Sequence, residues 1–378
     1  MSFWNRDYIL LLIINMLQSL GFTLLMPVLP LYARDMGAVE SQIGFLAASF
    51  AVASLFTRPF SGIIADSVER KKLLLICQFA SAGLTALLVL APNVFMLILL
   101  RLGYGIVVGI MMTVLMVAVV QALPQEKMGQ GIGYFGVTSI GSQAIAPAIG
   151  LTIMERYGYA AAIYVTAAAM LAAACTIFSL RSYEKPEKKG GRISIHDFVA
   201  KEAFGPVTLA FIFFLGIEAA NNFLVLLADE RGIGHVGFYF TIQVGVLVLT
   251  RVFSSKTIDR VPYKKIIFPC VVLCVAGLVL MATANSFFVL AVAGVINGLG
   301  YGFANPTLQT ASVRTVPAGR LGAASATYMI GIDLSLIVGS LIMGYVAQGF
   351  SYSAGFLVLC APFVLAVPLL AGHSKKEP

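Results

Sequence analysis

The sequence predicts an all-α membrane protein with twelve transmembrane helices in two pseudo-symmetric six-helix bundles. Its 378 residues are 59% hydrophobic and 11% charged, with a mean hydropathy of +0.93, which is too few charges to cover a soluble protein. Apolar runs of about 20 residues, the length needed to cross a bilayer, recur along the chain. A charged phrase also occurs twice, 193 positions apart, which predicts two homologous halves.

Twelve apolar runs are long enough to span the membrane. We place them at residues 8–33, 40–64, 73–91, 95–121, 130–153, 159–180, 204–228, 235–258, 266–284, 287–312, 321–347 and 352–371. Their connections are too short to hold a soluble catalytic domain. The sequence therefore favours a membrane protein that is not an enzyme.

Basic residues are unequally divided between the two sides of these spans. With both termini placed in the cytoplasm, the outward loops carry Arg34, Arg156 and Arg231, each beside an acid, and nearly all other basic residues face inward. This is the positive-inside pattern. The net charge of +8 therefore reflects topology, and we expect a multi-pass protein of the inner (cytoplasmic) cell membrane, in contact with lipid and with no nucleic-acid partner.

One hydrophilic stretch separates the two halves. Residues 182–203 combine charges, a proline and a glycine pair, a composition typical of a flexible linker. The predicted organisation is an N-terminal six-helix bundle at 1–181, a cytoplasmic linker loop at 182–203 and a C-terminal six-helix bundle at 204–378.

The repeated phrase lies after spans two and eight. In each copy an Arg ends an apolar run, an Asp follows eight residues later, and a basic cluster precedes the next run. An Asp at this place can accept hydrogen bonds from helix-terminal amides or pair with a cation of a neighbouring helix, and so latch one conformation. The alternative is that these charges anchor loops and set topology. The residues of this predicted cytoplasmic gate are Arg58, Gly62, Asp66, Arg70, Arg251 and Asp259.

Three ionisable residues lie well inside the spans: Arg101, Glu218 and Asp333. A charge at this depth costs about 3 kcal/mol or more, so it usually faces protein or water and marks a functional position. Burial penalises the charged form of a carboxylic acid, which makes Glu218 and Asp333 candidates for proton coupling. Glu218 could instead contact a cationic substrate, and both acids could form structural pairs.

Uncharged polar side chains lie on the same helix face as Glu218, and similar side chains recur in span one. Glu218, Asn221 and Asn222 share one face of span seven, and Asn15 and Gln18 repeat part of that spacing in span one, its equivalent in the other half. Two such stripes across a pseudo-twofold axis predict a substrate cavity near the midplane. Its predicted lining is Asn15, Gln18, Phe22, Tyr134, Gln143, Asn221, Asn222, Asn297, Tyr301 and Asn305.

The five cysteines all lie in apolar runs. Cys270 and Cys274 share a helix face without a neighbouring His or acid, so we expect them to pack rather than to bind a metal. We expect no metal and no cofactor, with a proton gradient as the energy source.

Two six-helix halves and an Arg-Pro-Phe-Ser-Gly-x3-Asp-x3-Arg-Lys-Lys phrase after the second span resemble the major facilitator superfamily. Within it, the Gly21 region with Pro27-Val28-Leu29-Pro30 is similar to the first-helix signature of the twelve-span drug/proton antiporter branch. Leu97, Arg101 and Gly105 are similar to that branch's fourth-helix motif. The resemblance implies the major facilitator fold and a role of Arg101 in proton transfer. From the residues alone, a buried clamp on helix carbonyls is the alternative.

The fifth-helix motif of the antiporters is only partly present. Gly133, Pro147 and Gly150 fit its spacing, whereas Ser142 and Ala146 replace two of its glycines. We expect a monomeric secondary active transporter working by alternating access, which exports a small amphipathic or zwitterionic compound (a drug or a metabolite) in exchange for protons. A proton-symporting or facilitative importer of a small polar solute is the alternative. A receptor or a membrane enzyme is the alternative of a different class.

Overall fold

The computed structural model describes residues 3–124, 127–181, 200–258, 261–317 and 320–372. Within these ranges the chain forms twelve α-helices with short connections, some of them 3₁₀ turns such as Leu88–Leu90 and Lys201–Ala203. In chain order the helices are α1 (Arg6–Asp35), α2 (Glu40–Ser67), α3 (Arg70–Leu87), α4 (Val94–Ala122), α5 (Met128–Phe178), α6 (Phe204–Glu230), α7 (Gly237–Ile258), α8 (Tyr263–Thr283), α9 (Phe287–Arg314), α10 (Leu321–Gly349), α11 (Tyr352–Val358) and α12 (Ala361–Gly372).

Most of these helices have the length and composition of membrane spans. Eight helical segments of the described chain are long and apolar enough to cross a bilayer. Gly237–Arg251 and Tyr352–Ala366 are shorter apolar helical segments, and the second includes all of α11 and the start of α12. The predicted all-α membrane fold is thereby confirmed.

Helix α5 contains both the fifth and the sixth predicted span. Gly158 lies inside it with φ 83° and ψ 172°, so the backbone leaves the helical conformation at that residue. This positive φ is readily available only to glycine. Gly158 therefore divides α5 into two helices that meet at a kink, at the predicted break between the two spans.

The last predicted span, 352–371, contains two helices. Helix α11 ends at Val358 and α12 begins at Ala361. Between them the backbone tightens, because the Cys360 N–H donates to the carbonyl of Leu357, three residues back, at 3.0 Å. If α11 and α12 are taken as one crossing and α5 as two, the helices follow the predicted order of twelve.

Polar side chains hold several helix ends. The Asn5 carboxamide accepts from the Tyr8 N–H at 2.8 Å and donates to the carbonyl of Ala122 at 2.6 Å. Arg231, directly after α6, donates to the carbonyls of Ala282 and Ala284 at the end of α8 and to the Ser353 hydroxyl. A cation at a helix C-terminus compensates the partial negative charge there.

The chain divides into two compact units. The first unit comprises Met1–Gly37 and Ser49–Gly191, and the second comprises Ala38–Ala48 and Arg192–Pro378. The start of α2 belongs to the second unit because it lies directly against α10. A Cβ on Gly44 would be 2.6 Å from the Ser340 carbonyl oxygen, and one on Gly344 would be 2.7 Å from the Glu40 carbonyl oxygen. The predicted organisation, by contrast, assigned residues 38–48 to the N-terminal bundle at 1–181.

Both units contain the same helix contact. A Cβ on Gly105 of α4 would lie 2.7 Å from the carbonyl oxygen of Phe50 on α2. A Cβ on Gly298 of α9 would lie 2.6 Å from the carbonyl oxygen of Gln243 on α7. The offset is the same for both partners, since 298 − 105 and 243 − 50 both equal 193, the spacing of the repeated phrase. The duplication is therefore visible in packing as well as in sequence.

The next turn of each helix repeats the pattern. Gly109 faces Thr57, and Gly302 faces Thr250, again 193 positions later in both partners. Small residues four apart let helix backbones approach closely, which is how helices associate in lipid. We call α2 with α4, and α7 with α9, the two repeated seams.

Candidate functional site

A chain of polar contacts links three helices of the second unit. The Tyr301 hydroxyl on α9 is a hydrogen-bond partner of the Glu218 carboxyl on α6. The Tyr239 hydroxyl on α7 donates to Asn221 Oδ1 at 3.5 Å, and Asn297 Nδ2 donates to the Tyr239 oxygen at 3.2 Å. We call these five residues the second-unit polar cluster. It brings together four residues predicted from the sequence, Glu218, Asn221, Asn297 and Tyr301.

The described partner of the Glu218 carboxyl is a neutral hydroxyl. Its side chain is partly accessible, and no described cation forms an ion pair with it. Arg251 is close enough to interact electrostatically with Tyr301 and Tyr328, so a positive charge lies beyond the hydroxyl that contacts the acid. A carboxylate that loses hydration without gaining a cation is costly, and taking up a proton relieves that cost.

The remaining predicted residues of this unit surround the cluster. The Tyr328 hydroxyl donates to Asn305 Oδ1 at 2.8 Å, which joins α10 to α9. Asn222 is turned back onto its own helix, where its amide donates to the Glu218 carbonyl at 2.9 Å. Asp333 is buried on α10, outside the hydrogen bonds of the cluster. The sequence placed Glu218, Asn221 and Asn222 on one face, but only the first two reach other helices.

In the first unit, the two predicted amides of α1, Asn15 and Gln18, are fully buried, whereas Phe22 is partly buried. Asn15 Nδ2 donates to Thr138 and Ser139 on α5, both at 2.8 Å. Gln18 Nε2 donates to the Tyr104 hydroxyl on α4 at 3.3 Å, and Gln18 Oε1 accepts from Gln78 Nε2 of α3 at 2.8 Å. These amides tie α1 to α3, α4 and α5. Their part in a cavity between the halves stays a prediction.

Arg101 lies among aromatic rings. The guanidinium carbon is 5.7 Å from the ring centroid of Phe22, 5.5 Å from that of Phe50 and 5.3 Å from that of Tyr104. The side chain is 8% exposed, and its Nε is buried with no hydrogen-bond partner in the described part of the chain. Each cation–π contact stabilises by roughly 0.5–2 kcal/mol. No described carbonyl accepts a hydrogen bond from Arg101, so the carbonyl clamp is not observed.

Two predicted cavity residues of α5 lie elsewhere. Tyr134 packs against Phe3 and Trp4, with ring centroids 6.0 and 5.1 Å away. Gln143 is exposed on the same helix. The structure does not bring either side chain to Asn15 or Gln18.

The predicted gate is described only in part. Arg58 is partly buried in the last third of α2, while the surroundings of Gly62, the side chain of Asp66 and the whole of Asp259 lie outside what the structure describes. Arg70 donates to Gln121 Oε1 at 2.6 Å. Its neighbour in the basic cluster, Lys71, donates to the carbonyls of Phe178 and Leu180 at the end of α5. These contacts anchor helix ends inside the first unit, and the latch stays a prediction.

Three residues that were not predicted from the sequence take part in these polar contacts: Tyr239, Tyr328 and Gln78. Gln78 is a buried amide in an otherwise apolar stretch of α3. Tyr239 and Gln243 lie four residues apart on α7, which repeats the spacing that singled out the other stripes. That spacing was a usable signal for Tyr239, whereas no local pattern distinguishes Tyr328 from other tyrosines.

Comparison of the chain with known proteins identifies its family. The family model described as Major Facilitator Superfamily matches it over residues 11–207 and again over 206–378. The chain belongs to the major facilitator superfamily.

Relatives in this superfamily cover nearly the whole chain. The MFS-type transporter YhhS of Escherichia coli (strain K12) is 26% identical to it, over 99% of this chain and 94% of YhhS. The multi-drug resistance efflux pump PmrA homolog of Lactococcus lactis subsp. lactis is 24% identical, over 94% of this chain and 91% of its own length. The multidrug resistance protein MdtG of Enterobacter lignolyticus is also 24% identical, over 94% and 89%.

Solved transporters share the fold. The nucleoside transporter NupG superposes with a TM-score of 0.79 at 16% identity, covering 99% of this chain and all of NupG. A POT family transporter in complex with a thioalcohol-conjugated peptide gives 0.81 at 13% identity, over 98% and 97%. The chain is therefore a multi-pass membrane transporter of the major facilitator superfamily that carries a small-molecule substrate, and it is not an enzyme.

Proposed function

We propose that this transporter exports a small amphipathic or zwitterionic compound in exchange for protons, as a monomer working by alternating access. The observation that carries the proposal is Glu218, a carboxyl inside a membrane helix whose described partner is the neutral hydroxyl of Tyr301. An acid in this setting reaches neutrality by binding a proton. Asp333, buried on α10, is a second candidate for the same role.

Proton exchange at Glu218 can supply useful work. One elementary charge moving through 100 mV is worth about 2.3 kcal/mol, so one or two protons per cycle support accumulation against a gradient. The hydrogen bond from Tyr301 couples the carboxyl on α6 to α9, and Asn221, Tyr239 and Asn297 join α7 to both. A change in the protonation of Glu218 would therefore alter the contacts among three helices of the second unit, α6, α7 and α9.

Export, rather than import, is supported by the names of two relatives, a multi-drug resistance efflux pump homolog and a multidrug resistance protein. The distribution of basic residues supports an inner-membrane location with both termini in the cytoplasm. Arg101 cannot itself carry a transported proton, because an arginine side chain stays protonated in proteins. Its contribution to the cycle is a fixed positive charge.

Reconstituted protein tests the proton role. The full chain in liposomes, loaded with a panel of fluorescent amphipathic dyes that are cationic, zwitterionic or anionic, should concentrate at least one dye when a pH gradient is imposed. Reversing the gradient should reverse the movement. Glu218→Gln should abolish this gradient-driven accumulation. Glu230→Gln removes the same charge from an exposed position at the end of α6 and should leave accumulation unchanged.

Exchange without a gradient distinguishes a proton site from a substrate contact. If Glu218 carries the proton, Glu218→Gln should keep the exchange of labelled for unlabelled dye, since that process needs no net proton movement. Loss of exchange together with loss of accumulation would assign Glu218 to substrate binding instead. A Glu218→Gln protein that still concentrates dye would refute the proton role.

A further inference from the structure

We infer that Arg101 binds an anionic group of the transported compound, so that the substrate is a small amphipathic molecule bearing a carboxylate or an equivalent monoanion. The inference rests on the proposed transport of such molecules and adds the charge of the group that the first unit binds. All residues that carry it belong to that unit: Arg101 and Tyr104 on α4, Phe22 on α1 and Phe50 on α2.

The positive charge of Arg101 is not balanced by an acid anywhere in the described chain. Its guanidinium carbon lies 5.3–5.7 Å from three ring centroids, and no described carboxylate forms an ion pair with it. Its Nε is buried, and none of the described residues accepts a hydrogen bond from it. Aromatic faces attract a cation, but they bear no net charge and do not replace directed acceptors for five N–H groups. An anion would supply both.

The repeated seam shows that packing does not require an arginine at this position. The shared offset of 193 places Gly294 of α9 where α4 has Arg101, and the neighbouring contact of Gly298 with Gln243 reproduces that of Gly105 with Phe50. In the second unit the Tyr239 ring fills this space, since a Cβ on Gly294 would lie 3.2 Å from it. The equivalent helix pair of the second unit thus packs without a cation at this position. An arginine is present at this position in the first unit alone.

The groups around Arg101 select an amphipathic anion. A planar guanidinium donates two parallel hydrogen bonds to a carboxylate, a geometry that an ammonium group lacks. The rings of Phe22, Phe50 and Tyr104 offer an apolar surface to the body of the same molecule. Gln18 donates to the Tyr104 hydroxyl at 3.3 Å, and this bond positions one ring beside the charge. A cationic group at this place would be repelled by the positive charge of Arg101.

The test compares two probes that differ in one charge. Dansylglycine, a carboxylate, and dansylglycinamide, its neutral amide, are titrated by fluorescence into the full chain, held in nanodiscs of phosphatidylcholine without a pH gradient. We expect the carboxylate to bind at least about tenfold more tightly, as removal of one charged hydrogen-bond partner typically costs. Arg101→Gln should remove the preference. Arg101→Lys should retain only part of it, because the charge remains while the paired donors are lost.

Arg156→Gln is the matched control, because it removes one arginine from an exposed position of the same unit and should leave the preference unchanged. Thermal unfolding of each variant checks that it is folded. The inference is overturned if wild-type protein shows no preference for the carboxylate, including the case in which neither probe binds, or if Arg101→Gln keeps the preference. Glu218→Gln should keep it too, so a failed proton role and a failed anion site give different results.

Discussion

Replacing Gly105 by alanine should destabilise the first repeated seam. A Cβ at this position would lie 2.7 Å from the Phe50 carbonyl oxygen and 2.8 Å from the Ala53 Cβ. Real Cβ atoms essentially never approach other atoms within 3.0 Å, and both neighbours belong to the rigid part of α2 rather than to the end of a flexible side chain. The two helices must therefore move apart to accept the methyl group.

The size of the effect follows from two opposing contributions. Alanine is favoured over glycine in a helix interior by roughly 0.5–1 kcal/mol, whereas overpacking typically costs about 1–3 kcal/mol. Gly103→Ala on the same helix isolates the second contribution, because its Cβ would lie 3.5 Å from Leu84, an ordinary contact. The helix-propensity gain cancels in the comparison. We therefore expect Gly105→Ala to be less stable than Gly103→Ala by about 1–3 kcal/mol.

Apparent melting temperatures of the purified proteins, recorded in one detergent at one scan rate, measure the difference. Gly105→Ala should melt several degrees below Gly103→Ala, since 1 kcal/mol shifts Tm by about 2–4 °C at 150–250 residues and by less in longer chains. Gly298→Ala in the second seam should resemble Gly105→Ala, because its Cβ would lie 2.6 Å from the Gln243 carbonyl oxygen. Equal melting temperatures for Gly103→Ala and Gly105→Ala would refute the close-approach argument for the seam.

Two further substitutions probe the contacts that hold helix ends. Tyr8→Phe removes a buried hydroxyl that donates to the Gly131 carbonyl at 2.8 Å, and it should cost about 0.5–1.5 kcal/mol in thermal stability, whereas Tyr157→Phe, at a ring 73% exposed, should change nothing. Arg231→Gln removes the donors to Ala282, Ala284 and Ser353 and should lower stability by on the order of 1–2 kcal/mol after solvent screening. A melting temperature of Arg231→Gln equal to that of Arg156→Gln would show that the three bonds contribute nothing.

The repeated phrase allowed more to be predicted than any single helix did. Its spacing of 193 predicted two homologous halves, and the same spacing relates Gly105 with Phe50 to Gly298 with Gln243 in the structure. The glycine pairs four residues apart on α4 and α9 were visible in the sequence as well. Their partners were not, because a glycine pattern shows that some helix can approach closely but does not say which one.

The candidate site was predictable by residue type and only partly by contact. Glu218, Asn221 and Asn297 stand out as polar groups in apolar spans, and the structure joins them through the hydroxyls of Tyr239 and Tyr301. The periodicity of one helix cannot show that Asn222 turns back onto its own backbone.

The amino-acid sequence by itself determined the membrane class, the order of the helices and the two-fold repeat, because hydropathy, helix length and duplication are local or linear properties. Only the tertiary structure decided that Arg101 lies among three aromatic rings with no acidic partner among the described residues, whereas its counterpart Gly294 lies against Tyr239. The reason is physical. Whether a buried charge is balanced depends on side chains that other helices bring to it, and that information is spread over the whole chain.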